Sequence, residues 1–239
     1  MESHNPYASP YAVAQAPENV RTEFYQKTYL HLAGAIGAFI VLEAIFFSIP
    51  AMKNLGYTML QTGMGWLVVL GLFMVVSWVA QKWAMSDTSR GMQYAGLGLY
   101  VLAEAVIFLP LLLMAQFYSG QSNLIAQAGT ITLGLFAGLT FVAFTTKKDF
   151  SFLGGMLKVA FFVAMGLIVA SLFMPFDLGI WFSAAMVLVA GGSILYQTSN
   201  IIHHYRPDQH VAASLGLFAS VALLFWYVLR ILMSFSSSD

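Results

Sequence analysis

The sequence predicts an all-α membrane protein, a bundle of seven transmembrane helices. Hydrophobic residues make up 59% of the 239-residue chain and charged residues only 8%. A soluble domain carries about 25% charged residues, so these charges are too few to cover a water-facing globule. The apolar residues also fall into runs of roughly 18–24, the length that crosses about 30 Å of hydrocarbon as a helix. The runs are continuously apolar, whereas the strands of a β-barrel would alternate in segments of about 10 residues.

The first 22 residues carry Pro6, Pro10 and Pro17 among small polar side chains. That composition predicts a disordered tail, either a spacer or a handle for a cytoplasmic partner. No basic region precedes a short apolar stretch, so no signal peptide is expected. A transmembrane domain over residues 23–235 follows, and residues 236–239 form a short C-terminal tail. The first span is read as Tyr29–Pro50 and the second as Gly65–Lys82, its start blurred by the Met52–Met64 linker. The others are Gln93–Ala115, Asn123–Thr145, Leu153–Met174, Gly179–Ile201 and Val211–Met233. The connections are short, so any chemistry must sit within the bundle or at its rims.

Orientation follows from the basic residues, which stay cytoplasmic when they lie in short loops. One side of the bundle holds Arg21, Lys27, Lys82, Arg90, Lys147, Lys148 and Arg206; the other holds Lys53 and Arg230. The N-terminus is therefore expected in the cytoplasm and the C-terminus outside. If the second span were re-entrant, the C-terminus would move inside.

Several functional classes are excluded. The chain has no cysteine, which removes disulfides, thiolate metal sites and thiol catalysis. Net charge is zero, which leaves no basic footprint for nucleic acid. Phosphate-binding glycine loops, zinc-protease motifs and nucleophile elbows are absent. No cofactor is expected, and the chain is not expected to be an enzyme.

Ionisable residues inside a membrane are costly and are functional candidates by default. Two carboxylates lie well within spans: Glu43 in the first and Glu104 in the third. Each is either part of an ion or proton pathway or a protonated, hydrogen-bonded structural group. Lys158 is a possible partner, or a side chain that snorkels to the headgroups. Polar residues Tyr196–Asn200 end the sixth span and could bond between helices or line a wet cavity. His203, His204, Asp208 and His210 follow, readable as a metal site, a pH sensor or a solvated loop. Gly134 and Gly138 form a G-x-x-x-G, and Gly154-Gly155 and Gly191-Gly192 are pairs; all are read as helix-packing positions.

Two stretches resemble a known family. Residues 145–157, Thr-Thr-Lys-Lys-Asp-Phe-Ser-Phe-Leu-Gly-Gly-Met-Leu, are similar to the signature between the fourth and fifth spans of the Bax inhibitor-1/YccA family, also called the transmembrane Bax inhibitor motif family. Lys148, Asp149, Gly154 and Gly155 carry that match. Residues 195–203, Leu-Tyr-Gln-Thr-Ser-Asn-Ile-Ile-His, resemble the end of the sixth span in its bacterial YccA branch, with Thr198 and Asn200. The resemblance implies a central helix wrapped by the others. It also implies a place in a bacterial inner membrane, a stress-protective role, and for the YccA branch an association with the FtsH protease as substrate and modulator. Another branch acts as a calcium leak, gated by two aspartates that share a proton. Gln197 and Ser220 stand at those two positions here, and neither side chain titrates in an accessible range. Three readings therefore remain: a protease modulator, a calcium, cation or proton pathway through Glu104 and Glu43, and a structural stress-protection protein.

Overall fold

The computed structural model describes residues 11–61, 63–87, 89–118, 123–146, 148–174 and 178–236. Met1–Pro10, most of the expected tail, lie outside the described residues, as do Lys147 and the C-terminal residues 237–239. Eight α-helices are described: α1 (Glu18–Ser48), α2 (Pro50–Gln61), α3 (Gly63–Ala84), α4 (Arg90–Tyr118), α5 (Leu124–Thr146), α6 (Leu153–Phe173), α7 (Gly179–His203) and α8 (His210–Ser236). Seven of them, all but α2, are long and apolar enough to cross a membrane. In hydrocarbon each helix satisfies its own backbone, so continuous apolar runs become unbroken spans.

Two features differ from the sequence reading. The Met52–Met64 linker is largely the short helix α2, whose buried Gly56 and Met59 face the bundle while much of the rest stays exposed. Its mixed composition hid it from a search for apolar runs. The expected disorder to residue 22 is also corrected. Val13–Gln15 form a 3-10 turn, Val13 is fully buried, its N–H donates to the Tyr205 carbonyl at 2.8 Å, and α1 begins at Glu18. The physical reason is tertiary: Val13 is seated by a loop almost two hundred residues away in the chain.

The centre of the bundle is α8, which packs against α1, α4, α5 and α7 and touches α3. Its first half carries many small residues, Ala212, Ala213, Ser214, Gly216, Ala219, Ser220 and Ala222, between larger ones such as Leu215, Leu217 and Phe218, and its second half is bulkier, with Leu224, Phe225, Trp226 and Tyr227. Small residues let backbones approach, which is how helices associate in lipid. By contrast α6 sits at the periphery, packed mainly on α7, with one buried residue, Ala164.

Glycine has different uses at different places. A Cβ on Gly96 would lie 2.5 Å from the Ala80 carbonyl oxygen and 2.5 Å from the Ala84 nitrogen, so Gly96 sets the close approach of α4 to α3. Gly134 and Gly138 have nothing within 4 Å of such an atom, so the G-x-x-x-G does not pack within this chain. Overpacking costs about 1–3 kcal/mol where backbone must move. Gly96→Val is expected to lower the thermal midpoint of the purified protein, and Gly134→Val to leave it unchanged. Equal effects of the two substitutions would contradict this account of the packing.

Candidate functional site

Distances along each helix follow from a rise of about 1.5 Å per residue. On α4, Glu104 lies about 21 Å from the start at Arg90, near the middle of the span. Ser220 lies about 15 Å into α8, and Ser193 about 15 Å from the cytoplasmic end of α7, so the two share one level. They meet there: the two hydroxyl oxygens are 2.7 Å apart, and the Ser220 hydroxyl also donates to the Gly216 carbonyl at 2.9 Å.

These residues line one cavity of about 720 Å³ enclosed by α3, α4, α6, α7 and α8. The half toward the start of α8 presents Gln81, Tyr205, Gln197, Ser193 and Ser220. Glu104, 6% exposed, stands at mid-depth, with the Tyr100 hydroxyl one turn earlier interacting with its carboxyl. The outer half is aromatic. Trp66 stacks on Trp226 with ring centres 6.1 Å apart, and Phe108 meets Trp226 edge-on at 4.9 Å. Arg230 marks the outer rim.

The candidate residues are therefore partly brought together. Glu104, Gln197 and Ser220 share the cavity; Glu43 does not, because no residue of α1 lines it. Glu43 is buried elsewhere on α1, with neither carboxylate oxygen hydrogen-bonded within the described residues. Gln197 and Ser220 each make a contact of their own. Ser220 takes Ser193, while the Gln197 amide lies over Gly216, where a Cβ would stand 2.8 Å from Oε1. Ser193 was missed because a lone serine inside an apolar span carries no sequence signal. The run of small residues opening α8 was the available clue.

Family-motif residues form a clasp where the α5–α6 loop meets the end of α7. One carboxylate oxygen of Asp149 accepts from the Ser151 N–H at 2.8 Å and the Ser199 hydroxyl at 3.3 Å; the other lies 3.1 Å from His204 Nε2. Ser199 also accepts from the Phe150 N–H at 2.8 Å. The α5–α6 loop is thus held to the end of α7. The Ser151 N–H, chiefly, with the hydroxyl of the same residue and His204 adding to it, pulls the Asp149 carboxyl down to about 2. Gly154 leaves room for the Tyr196 ring, at 2.9 Å from a Cβ there. Gly155 faces open space, and Lys148 and Lys158 are exposed. Thr198 is fully buried, and the Asn200 carbonyl accepts the His204 and Tyr205 N–H groups that turn the chain out of α7.

The histidines of this region do not converge. His203 Nδ1 lies 3.0 Å from the Ser199 carbonyl, His204 faces Asp149, and His210 is buried at the start of α8, its ring 5.0 Å from that of His31. Asp208 instead joins Arg206, whose guanidinium donates to it from Nε at 3.2 Å and Nη2 at 3.1 Å and also binds Asp87 of the α3–α4 loop. Those bonds, to Asp208 above all, raise the Arg206 pKa. Tyr205 next to it lines the cavity, and its burial pushes the phenol up to about 12. Among the described residues, no three His, Asp or Glu side chains are placed to hold a metal.

The Asp149 carboxyl lies below its ordinary value of 3.8 in the folded chain. Its contribution to stability is therefore complete above 3.8 and is lost as pH falls to about 2. Asp149→Asn is expected to lower the thermal midpoint at neutral pH. The gap to wild type is expected to close as pH drops through that window. A gap unchanged at the acid end would count against Asp149 as the loop's anchor.

Comparison with known proteins bears on the whole chain. A family model described as "Inhibitor of apoptosis-promoting Bax1" matches residues 21–237. Bax inhibitor 1 of Schizosaccharomyces pombe is 29% identical over 229 residues, 95% of this chain and 82% of that protein. The modulator of FtsH protease YccA of Escherichia coli (strain K12) is 36% identical over 122 residues, 51% of this chain and 55% of the relative. The Golgi anti-apoptotic protein of Vaccinia virus (strain Lister) is 29% identical over 137 residues, 57% of this chain and 58% of the relative. The aligned part thus spans about half the length of the latter two.

Proposed function

The chain belongs to the Bax inhibitor family, and from that premise we propose that it is a non-enzymatic, YccA-type protein of a bacterial inner membrane that modulates an FtsH-type protease and is also its substrate, in a stress-protective role. The observation that carries this reading is the 36% identity to a relative named as a modulator of FtsH. The architecture is compatible with it. The polar loop chemistry gathers on one face, where Asp149, His204, Arg206 and Asp87 tie three connections together. The excess of basic residues on that side supports a cytoplasmic position for that face and the N-terminus, with the C-terminus outside.

The turn at Val13–Gln15 defines what such a protease can grip. Residues before Tyr11 precede the buried anchor Val13, so they form the handle. Deleting residues 2–10 is expected to slow turnover at least about twofold in cells carrying the protease, with membrane levels of newly made protein intact. Exposed termini are where proteolysis begins. An unchanged half-life would remove the tail from this role. The outcome also reports orientation, since only a cytoplasmic tail meets a cytoplasmic protease ring.

A second reading, a pathway for protons, calcium or another cation, is favoured by one observation: Gln81, Gln197, Ser193, Ser220 and Glu104 line the same cavity. Because the paired groups Ser193 and Ser220 are hydroxyls, any flux is expected to lack the steep pH step that a proton-sharing carboxyl pair produces near neutrality. Replacing both with aspartate is expected to introduce a pH step, because two close carboxylates cannot both ionise freely. Calcium and proton flux into liposomes, across pH about 5–8 where strongly raised carboxylates titrate, is the measurement. A steep pH step in the wild-type protein would contradict this reading of the pair.

A further inference from the structure

We propose that the central cavity is a binding site for a lipophilic organic cation, its charge set against Glu104 and its apolar body against the aromatic wall of the outer half. Three features of the cavity lead to that class of ligand. The first is charge. Glu104 is almost wholly buried near the middle of its span and lines the cavity, and among the described residues the single cationic side chain in the lining is Arg230. Arg230 stands at the outer rim, about 30 Å along α8, whereas Glu104 is about 21 Å along α4. A carboxylate in hydrocarbon calls for a countercharge or a proton, and a bound monocation supplies the countercharge.

The second is the wall. Trp66, Phe108 and Trp226 interlock beyond Glu104, and Phe73 and Tyr100 lie beside it on the α3 and α4 sides. Aromatic faces attract organic cations through the ring quadrupole. An inorganic divalent cation needs six to eight oxygen ligands in the case of calcium. The Glu104 level offers a carboxyl and the Tyr100 hydroxyl, with Ser193 and Ser220 bound to each other one turn nearer the cytoplasm. That set is poor for a bare metal ion and sufficient for an onium or ammonium group.

The third is size and access. At about 720 Å³ the cavity falls in the range of drug-sized ligand sites. It lies between α3 and α6, two helices that barely touch. Met74 and Phe161, one from each, line it and remain 44% and 45% exposed. A hydrophobic ligand dissolved in the bilayer therefore has a sideways entry that does not require crossing the cytoplasmic clasp. This site is independent of protease modulation, and its failure would leave the turnover experiment untouched.

The test uses the full chain purified in an uncharged detergent, with tetraphenylphosphonium as the probe and tetraphenylborate, of the same shape and opposite charge, as its control. Binding is read by equilibrium binding of the radiolabelled cation and by quenching of tryptophan fluorescence, to which Trp66 and Trp226 contribute. Saturable binding of the phosphonium at one per chain is expected, weakened at least about tenfold in Glu104→Gln, the scale on which loss of one partner of a buried charge pair is felt. Glu104→Asp is expected to keep most of the affinity. Ala164→Trp, which places a large ring in the cavity from α6, is expected to abolish binding, and it decides the matter if Glu104→Gln does not fold. No saturable phosphonium binding, equal affinity in wild type and a folded Glu104→Gln, or tighter binding of tetraphenylborate would each overturn the proposal.

Discussion

Everything in this bundle is placed by the close approach of other helices to α8. In lipid no hydrophobic force draws one helix to another, so association depends on tight packing and on polar contacts between spans. The small residues from Ala212 to Ala222 let four helices press onto one. They also leave room for polar side chains that a larger residue would displace. The Gln197 amide occupies the space a side chain at Gly216 would fill. Ser214 donates to the Thr28 carbonyl at 2.8 Å and so fastens α8 to α1. Where α8 turns bulky, at Leu224 and beyond, the same neighbours close around aromatic rings.

That change along α8 gives the cavity its asymmetry. An unsatisfied polar group in hydrocarbon costs several kcal/mol, so polar residues gather where they can bond one another or meet water. Ser193 and Ser220 satisfy each other, and Gln197 lies within 3.5 Å of the Tyr205 hydroxyl. Beyond Glu104 the stacked rings of Trp66, Trp226, Phe108 and Phe225 offer nothing to a hydrated ion. Glu104 therefore stands at the border between a polar inner half and an apolar outer half. Glu43 shows the contrast: equally buried, but outside that cavity and without a hydrogen-bond partner in the described residues.

The spans were legible because their signal is a sum over some twenty residues, which no single neighbour can cancel. Glu104 was legible because a charge in an apolar run stands out whatever surrounds it. Other features depend on contacts between distant positions. Ser193 matters through Ser220, and Val13 is buried because Tyr205 receives its N–H. Helix α2 escaped notice since an amphipathic dozen residues at a membrane rim resembles a linker in hydropathy. Gly134 and Gly138 illustrate the reverse error: the spacing suits packing, but that face of α5 meets no other part of the chain. Glu43 and Glu104 look alike in sequence and differ only in which side of the bundle each faces.

The clasp among the α3–α4, α5–α6 and α7–α8 connections adjoins both the N-terminal segment and the cavity. Its ion pairs are partly exposed, and exposed pairs are each worth about 0–1 kcal/mol, so no single one of them closes the cavity firmly. Its stronger members are the bonds to backbone groups: Ser151 N–H to Asp149, Phe150 N–H to Ser199, and Val13 N–H to the Tyr205 carbonyl. The last of these is the one that matters most for function. Tyr205 lines the cavity, its hydroxyl faces Gln197, and its carbonyl holds the first anchored residue of the N-terminal segment. A pull on that segment would therefore act first on Val13, next on Tyr205, and through Tyr205 on the mouth of the cavity. The segment anchored at Val13 and the polar lining of the cavity thus share a residue, and a displacement of one bears directly on the other.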